Sequence, residues 1–167
     1  LHHLDIDGTV KHWEFLATEN IDYRREAIES FINIVKGNDN KIVVYSQSFE
    51  KSVLKQMGIV YPEFSNDIED IILRIVDLKV FIENNYYHPD FQGSYSLKKV
   101  LPALLPNEKK YSEGAVSDGE QAQETFYYLL FEKNDDVNKK NIISSLLEYC
   151  KKDTESLILI YQYFEKL

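Results

Sequence analysis

The run Ile42-Val43-Val44-Tyr45 constrains the fold more than any other feature of the sequence. It is too short for a helix, and it is continuous and β-branched rather than alternating, which suits a strand covered on both faces. Helical patterns flank it. From Tyr23 to about Val35 the apolar positions Ala27, Ile28, Phe31, Ile32 and Val35 recur at helical spacing, and Gly37-Asn38-Asp39-Asn40 then breaks the chain. After the strand, Ser48 is placed to cap a helix running through Met57 and ending at Gly58. A covered strand between two one-sided helices predicts a mixed α/β fold with helices covering a sheet.

The rest of the chain adds a hairpin and more helices. LHHLDIDGTVKHWEFL reads as two strands around a two-residue Asp7-Gly8 turn, with Leu4 and Ile6 sharing a face with Trp13 and Phe15, and also with His2, Thr9 and Lys11. IEDIILRIVDLKVFI is mostly helical in pattern, with room for a short strand near Asp77. Pro89 and Gly93 mark a loop leading into a short helix near Ser96 to Val100, punctuated afterwards by Pro102 and Pro106. A helix from about Gln121 to Phe131 and a long one from about Asn141 to Phe164 follow, with the polar EKNDDVNKKN linker separating them. A hairpin and one buried strand make a small sheet for so much helix, so at least one sheet strand is expected to be missing at the N-terminus.

A length of 167 residues, with 44% hydrophobic and 28% charged residues, suits one globular domain spanning 1–167. No apolar run is long enough for a membrane span and Leu1 opens no signal pattern, so a soluble, cytoplasmic protein is expected. The lone Cys150 rules out an internal disulfide, and it makes no zinc site with four scattered histidines. A net charge of -9 argues against a basic surface that holds nucleic acid by neutralising phosphates. It does not argue against carboxylates gathered around divalent cations, because the metals then supply the positive charge.

Two carboxylates stand where apolar residues belong. Leu146, Cys150, Leu157, Ile160, Tyr161 and Phe164 form the apolar stripe of the last helix, and Asp153 falls within it, with Tyr149 one turn earlier. Such a carboxylate needs a cation, a salt bridge or a helix cap to satisfy it. Glu50 precedes Val53, Leu54 and Met57 at helical spacing, so it too lies on an apolar side, just after the buried strand. A first-turn acid is also a common partner of the helix dipole. Two inward carboxylates from separate elements are what two-metal phosphodiester hydrolysis requires.

VVYSQSFEKSVL resembles the second motif of DEDD-type exonucleases, with Ser46 where Asn is usual and Glu50 where Asp is usual. LLEYCKKDTESLILI is similar to the third motif in its tyrosine-containing form, with Tyr149 and Asp153 at Tyr-x-x-x-Asp spacing. RIVDL and GSYSLKKVLP resemble the strand and the Ser-Leu helix that join the two. With HWEFLATENIDYR, YYHPDFQGSYSLKKVLPALLP and DGEQA, nearly the whole chain looks closer still to one bacterial branch of predicted nucleases, in which this domain often follows a RecB-like nuclease region.

The resemblance to these DnaQ-like enzymes implies a ribonuclease H-like mixed sheet flanked by helices, here lacking its first strand, and a 3′-to-5′ exonuclease acting on DNA or RNA. It implies Glu50 and Asp153 as ligands for two Mg²⁺ or Mn²⁺ ions, and Tyr149 as the residue that orients or helps deprotonate the attacking water. Ser96, Lys98 and Lys99 become candidates to touch the nucleic-acid backbone. The family's first motif, an Asp-x-Glu on the opening strand, is absent, so the fragment alone is expected to be short of two acidic groups.

Two alternatives stay open. LDIDGTV reads literally as the nucleophile motif of haloacid dehalogenase-like phosphatases, with Asp5 as nucleophile and Asp7 as general acid and base, although the late metal motif is missing. The other is a catalytically silent interaction module that keeps the fold without the first acidic pair.

Overall fold

The structure is a computed structural model that describes residues 1–107, 116–132 and 135–167. Its elements, in chain order, are β1 (His2–Leu4), β2 (Val10–His12), α1 (Arg24–Val35), β3 (Ile42–Val44), α2 (Gln47–Val60), α3 (Ser65–Arg74), β4 (Ile75–Asp77), α4 (Leu78–Asn85), α5 (Leu97–Leu104), α6 (Gly119–Phe131) and α7 (Asp136–Glu165). The protein is thus mixed α/β and mostly helical. The described strands form two separate pairs, β1 with β2 and β3 with β4. The chain falls into two compact units, one of residues 22–97 and one of residues 1–21 with 98–167. No helix among the described residues is long and apolar enough to cross a membrane.

In the unit of residues 22–97, the strand read from Ile42-Val43-Val44 pairs in parallel with β4, aligning Val44 with Asp77. The strand expected near Asp77 is therefore present. Ile28, Ile32 and Val35 of α1, Ile68 and Ile71 of α3, and Ile75, Leu78 and Ile82 form its buried apolar set, with Phe91 fully enclosed. Arg74, at the end of α3, is the buried charge here. Its guanidinium donates to the carbonyls of Val35, Asn38 and Asn40, and its Nε lies 3.0 Å from the Asp70 carboxylate. It satisfies the open end of α1 and the turn that follows.

Helix α2 departs from expectation at both ends. It begins at Gln47, one residue before the expected Ser48 cap, and it passes through Gly58 to Val60. The residue at its N-cap, Ser46, makes no side-chain cap, and an outside carboxylate serves instead.

In the other unit, β1 and β2 form the expected antiparallel hairpin, but the turn is a residue longer. His2 faces His12 and Leu4 faces Val10. Asp5 N–H donates to Thr9 and Gly8 N–H donates to Asp5, so Ile6-Asp7-Gly8 form a three-residue loop. Gly8 sits at φ 85°, the left-handed bulge residue of such a loop. Shifting the register by one residue inverts the faces. Leu4 thus lies with His2, Val10 and His12, Trp13 pairs with Leu1 on the other side, and Ile6 projects fully into solvent at the tip.

The helices of this unit are longer than predicted. α5 continues through Pro102 to Leu104, with Leu105 N–H closing onto Leu101. α7 starts at Asp136, capped by Asp135, so most of the expected linker is helical; Lys133 and Asn134 of that linker lie outside the described residues. Along α7 the buried residues are Leu146, Ser156 and Ile160, whereas Cys150 and Tyr161 of the expected stripe are exposed. The covered face is rotated away from that stripe, toward the side that carries Tyr149 and Asp153.

Candidate active site

The segment that resembles the second motif is built at the ends of β3 and β4. Both parallel strands stop at the same level, and a helix leaves each of them: α2 after Val44 and α4 after Asp77. Ser46 makes the turn into α2 at φ 79°, ψ 66°, a left-handed conformation that costs a non-glycine residue about 1 kcal/mol. Asp77 holds it there. Its Oδ1 accepts from Ser46 N–H at 3.2 Å, Lys79 N–H at 3.0 Å and Val80 N–H at 3.3 Å, and its Oδ2 accepts from Gln47 N–H at 2.8 Å. Burial pushes the Asp77 carboxyl upward, but these four backbone donors outweigh it and hold the group below its ordinary range.

Glu50 lies one turn into α2, where the resemblance places a metal ligand. Its Oε2 is withdrawn from solvent and has no hydrogen-bond partner among the described residues. Burial pushes its carboxyl above the ordinary value, hydrogen bonding to its own backbone N–H opposes this, and the Asp77 charge adds to the rise. A desolvated carboxylate oxygen without a donor is unfavourable as it stands, and a cation is one of the few groups that satisfies it without further protein contacts. By this test Glu50 fits the role of a metal ligand. Nearby, the Tyr45 hydroxyl donates to the Tyr95 carbonyl at 2.7 Å, and burial, Glu83 and Asp77 push its phenol up.

The segment that resembles the third motif lies in the other unit. Tyr149 and Asp153, one turn apart on α7, are joined by a side-chain hydrogen bond. Burial first, then the charge and hydrogen bond of Asp153, and then Cys150 and Asp118, push the Tyr149 phenol well above its ordinary value. Asp118 caps α6, accepting from Gln121 N–H at 2.9 Å, while Gln121 Oε1 accepts from Ser117 N–H at 2.8 Å. Gly119 follows, and a Cβ there would lie 3.9 Å from the Tyr149 hydroxyl.

The remaining candidates have ordinary neighbours. Lys98 Nζ stands 3.9 Å from Asp118 Oδ2. Ser96 and Lys99 are exposed, and the Ser96 hydroxyl accepts from Ser94 at 3.3 Å. The structure thus joins Tyr149 with Asp153, and Lys98 with Asp118; Glu50 keeps company with Asp77. Among the described residues, no group of three or more His, Cys, Asp or Glu side chains is arranged to hold a metal ion. Asp7 lies in the exposed hairpin loop and accepts from Thr9 N–H, and Asp5 flanks that loop, paired with Lys11.

Asp77 and Asp118 are the residues that the sequence reading passed over. Each had a signal: an Asp closing a β-branched run before a helical pattern, and an Asp three residues before Gln in Ser-Asp-Gly-Glu-Gln, both in N-cap positions.

Residues 1–96 match the model of a family described as a domain of unknown function, DUF2779, and the chain belongs to that family. The chain is similar to the uncharacterized protein UU173 of Ureaplasma parvum serovar 3, with 28% identity over 154 residues. That match covers 80% of this chain and 22% of the relative, so the chain spans about a fifth of its relative's length. No solved structure matches the chain.

Proposed function

We propose that this chain is the core of a metal-dependent 3′-to-5′ exonuclease of the DEDD type, with a ribonuclease H-like arrangement of sheet and helices. The observation that carries the reading is the buried, unpartnered Oε2 of Glu50 at the end of a parallel strand pair. The Tyr149–Asp153 pair on α7 supports it from an independent motif.

In this reading Glu50 and Asp153 hold Mg²⁺ or Mn²⁺, together with two carboxylates of an upstream Asp-x-Glu strand. The ions, when bound, stabilise the attacking and leaving oxygens of the scissile phosphate. Tyr149, hydrogen-bonded to Asp153, orients the attacking water or helps deprotonate it. Lys98, Lys99 and Ser96 lie along the start of α5, where they meet the backbone of DNA or RNA. The match to one-fifth of a longer relative leaves room for a RecB-like nuclease region in the same polypeptide.

The test is Mn²⁺-dependent degradation of end-labelled single-stranded DNA and RNA by the 167-residue chain and by a longer polypeptide that includes the Asp-x-Glu strand. Stepwise loss from the 3′ end by the longer form, reduced at least roughly a hundredfold in Glu50→Gln and in Asp153→Asn, is the expected result. No degradation by any well-folded form would replace this reading with the silent interaction module.

A further inference from the structure

We propose that Asp77 is a positioning residue of the candidate site: it ties the starts of α2 and α4 to one carboxylate and so fixes the direction in which Glu50 points. The inference rests on the reading of Glu50 as a metal ligand and names the residue that aims it.

Two functions are usually separate at a strand end: capping the helix that follows, and fixing the neighbouring turn. Asp77 performs both. As the N-cap of α4 it accepts from Lys79 and Val80 N–H, the ordinary duty of an Asp in that position. Val44 is its partner across the parallel pair, so the same carboxylate also reaches the chain leaving β3 and accepts from Ser46 and Gln47 N–H. Three of the four donors, Ser46, Lys79 and Val80 N–H, converge on Oδ1, and Gln47 N–H takes Oδ2. Oδ1 is therefore shared between the starts of both helices, which commits the carboxylate to the backbone.

The consequence runs through Ser46. A left-handed serine persists only where its surroundings over-determine it, and its own hydroxyl makes no cap on α2. The two N–H bonds to Asp77 are the hydrogen bonds that tie this turn across to β4. Gln47 begins α2 and Glu50 is the acid of its first turn, so any change in the start of the helix is carried to Glu50 through one rigid turn. The burial that leaves Glu50 Oε2 without a donor depends on that start.

The experiment separates the two duties of Asp77. Asp77→Ser keeps a good N-cap for α4, but its single short oxygen cannot also reach α2; Asp77→Asn retains the reach with one carbonyl acceptor and is the variant to read if the serine form fails to fold. Amide hydrogen exchange in the full chain is measured at Ser46, Gln47, Lys79 and Val80. Mn²⁺-dependent kcat and KM are measured in the longer polypeptide.

In Asp77→Ser, the Ser46 and Gln47 amides are expected to exchange at least about tenfold faster, while Lys79 and Val80 change little. kcat is expected to fall roughly 10- to 100-fold with KM nearly unchanged, and Asp77→Asn to recover part of the loss. Continued protection of Ser46 and Gln47, or full kcat with those amides freed, overturns the proposal. Freed amides in a protein whose wild type shows no turnover would instead break the nuclease reading, and would keep Asp77 as the residue that sets the start of α2.

Discussion

Glu50 and Asp153 are both acids on helices, yet their surroundings differ in kind. Glu50 stands beside a backbone scaffold: two parallel strand ends, a left-handed turn and a carboxylate that takes four N–H donors. It takes its position from that scaffold, and one of its oxygens has no hydrogen-bond partner among the described residues. Asp153 is served by a side chain of its own helix, Tyr149, one turn away. The first arrangement holds an unsatisfied group in place; the second satisfies its group locally. A carboxylate oxygen withdrawn from solvent without a donor is completed by a ligand, so the Glu50 side weighs more toward a functional role.

If this contrast is right, the two helix caps beside the acids differ in weight. Asp77→Ala removes four hydrogen bonds and uncaps two helices, and is expected to destabilise the protein by about 3 kcal/mol. Asp118→Ala removes one cap bond from α6, with an expected loss of about 1 kcal/mol. Chemical denaturation of both variants checks the order, and equal losses would show that Asp77 is an ordinary single cap.

The same contrast explains what could be read from the sequence. Elements whose residues alternate or recur on one face were legible: α1, β3, α7 and the existence of the hairpin all follow from local periodicity and turn chemistry. The hairpin register was not, because Asp-Gly fits both a two-residue turn and a three-residue loop with glycine as the bulge; the choice of the longer loop inverted every face. The extent of α5 was missed because Pro102 reads as a stop, although the helix tolerates it in its final turns. In the site, Glu50, Tyr149 and Asp153 showed as polar residues on apolar faces. Asp77 did not, because its importance lies in reaching Ser46 and Gln47, 31 and 30 residues away in sequence, and no local pattern encodes that distance.

Glu50→Gln sharpens the contrast at smaller amplitude and with a defined pH dependence. Burial raises the folded carboxyl above the unfolded value of about 4.3, so the folded state holds the proton more tightly. The stability linked to that proton is complete below the unfolded value and is lost as pH rises through the folded one. A glutamine does not ionise, and the variant should be more stable than wild type by about 1 kcal/mol at neutral pH, after allowing for the half-exposed side chain. The difference should vanish on acidification to about pH 4. Thermal unfolding across this range checks it, and a destabilised variant at pH 7 would mean that Glu50 has a structural partner after all.

Tyr149→Phe addresses the other acid and carries the smallest expected effect. At neutral pH it removes one half-exposed hydrogen bond to Asp153, worth about 0.5 kcal/mol. The folded phenol is raised by burial and by Asp153, so wild type should lose stability as pH climbs above the unfolded tyrosine value of about 10, whereas the phenylalanine variant should not. The two stability curves therefore approach each other in alkali. Mg²⁺ adds the decisive comparison: a cation held beside Asp153 must pull the Tyr149 titration, followed by its ring carbon resonance, back toward lower pH. A Tyr149 titration indifferent to Mg²⁺, in a folded chain that includes the Asp-x-Glu strand, would leave Asp153 as a partner for its tyrosine and nothing more.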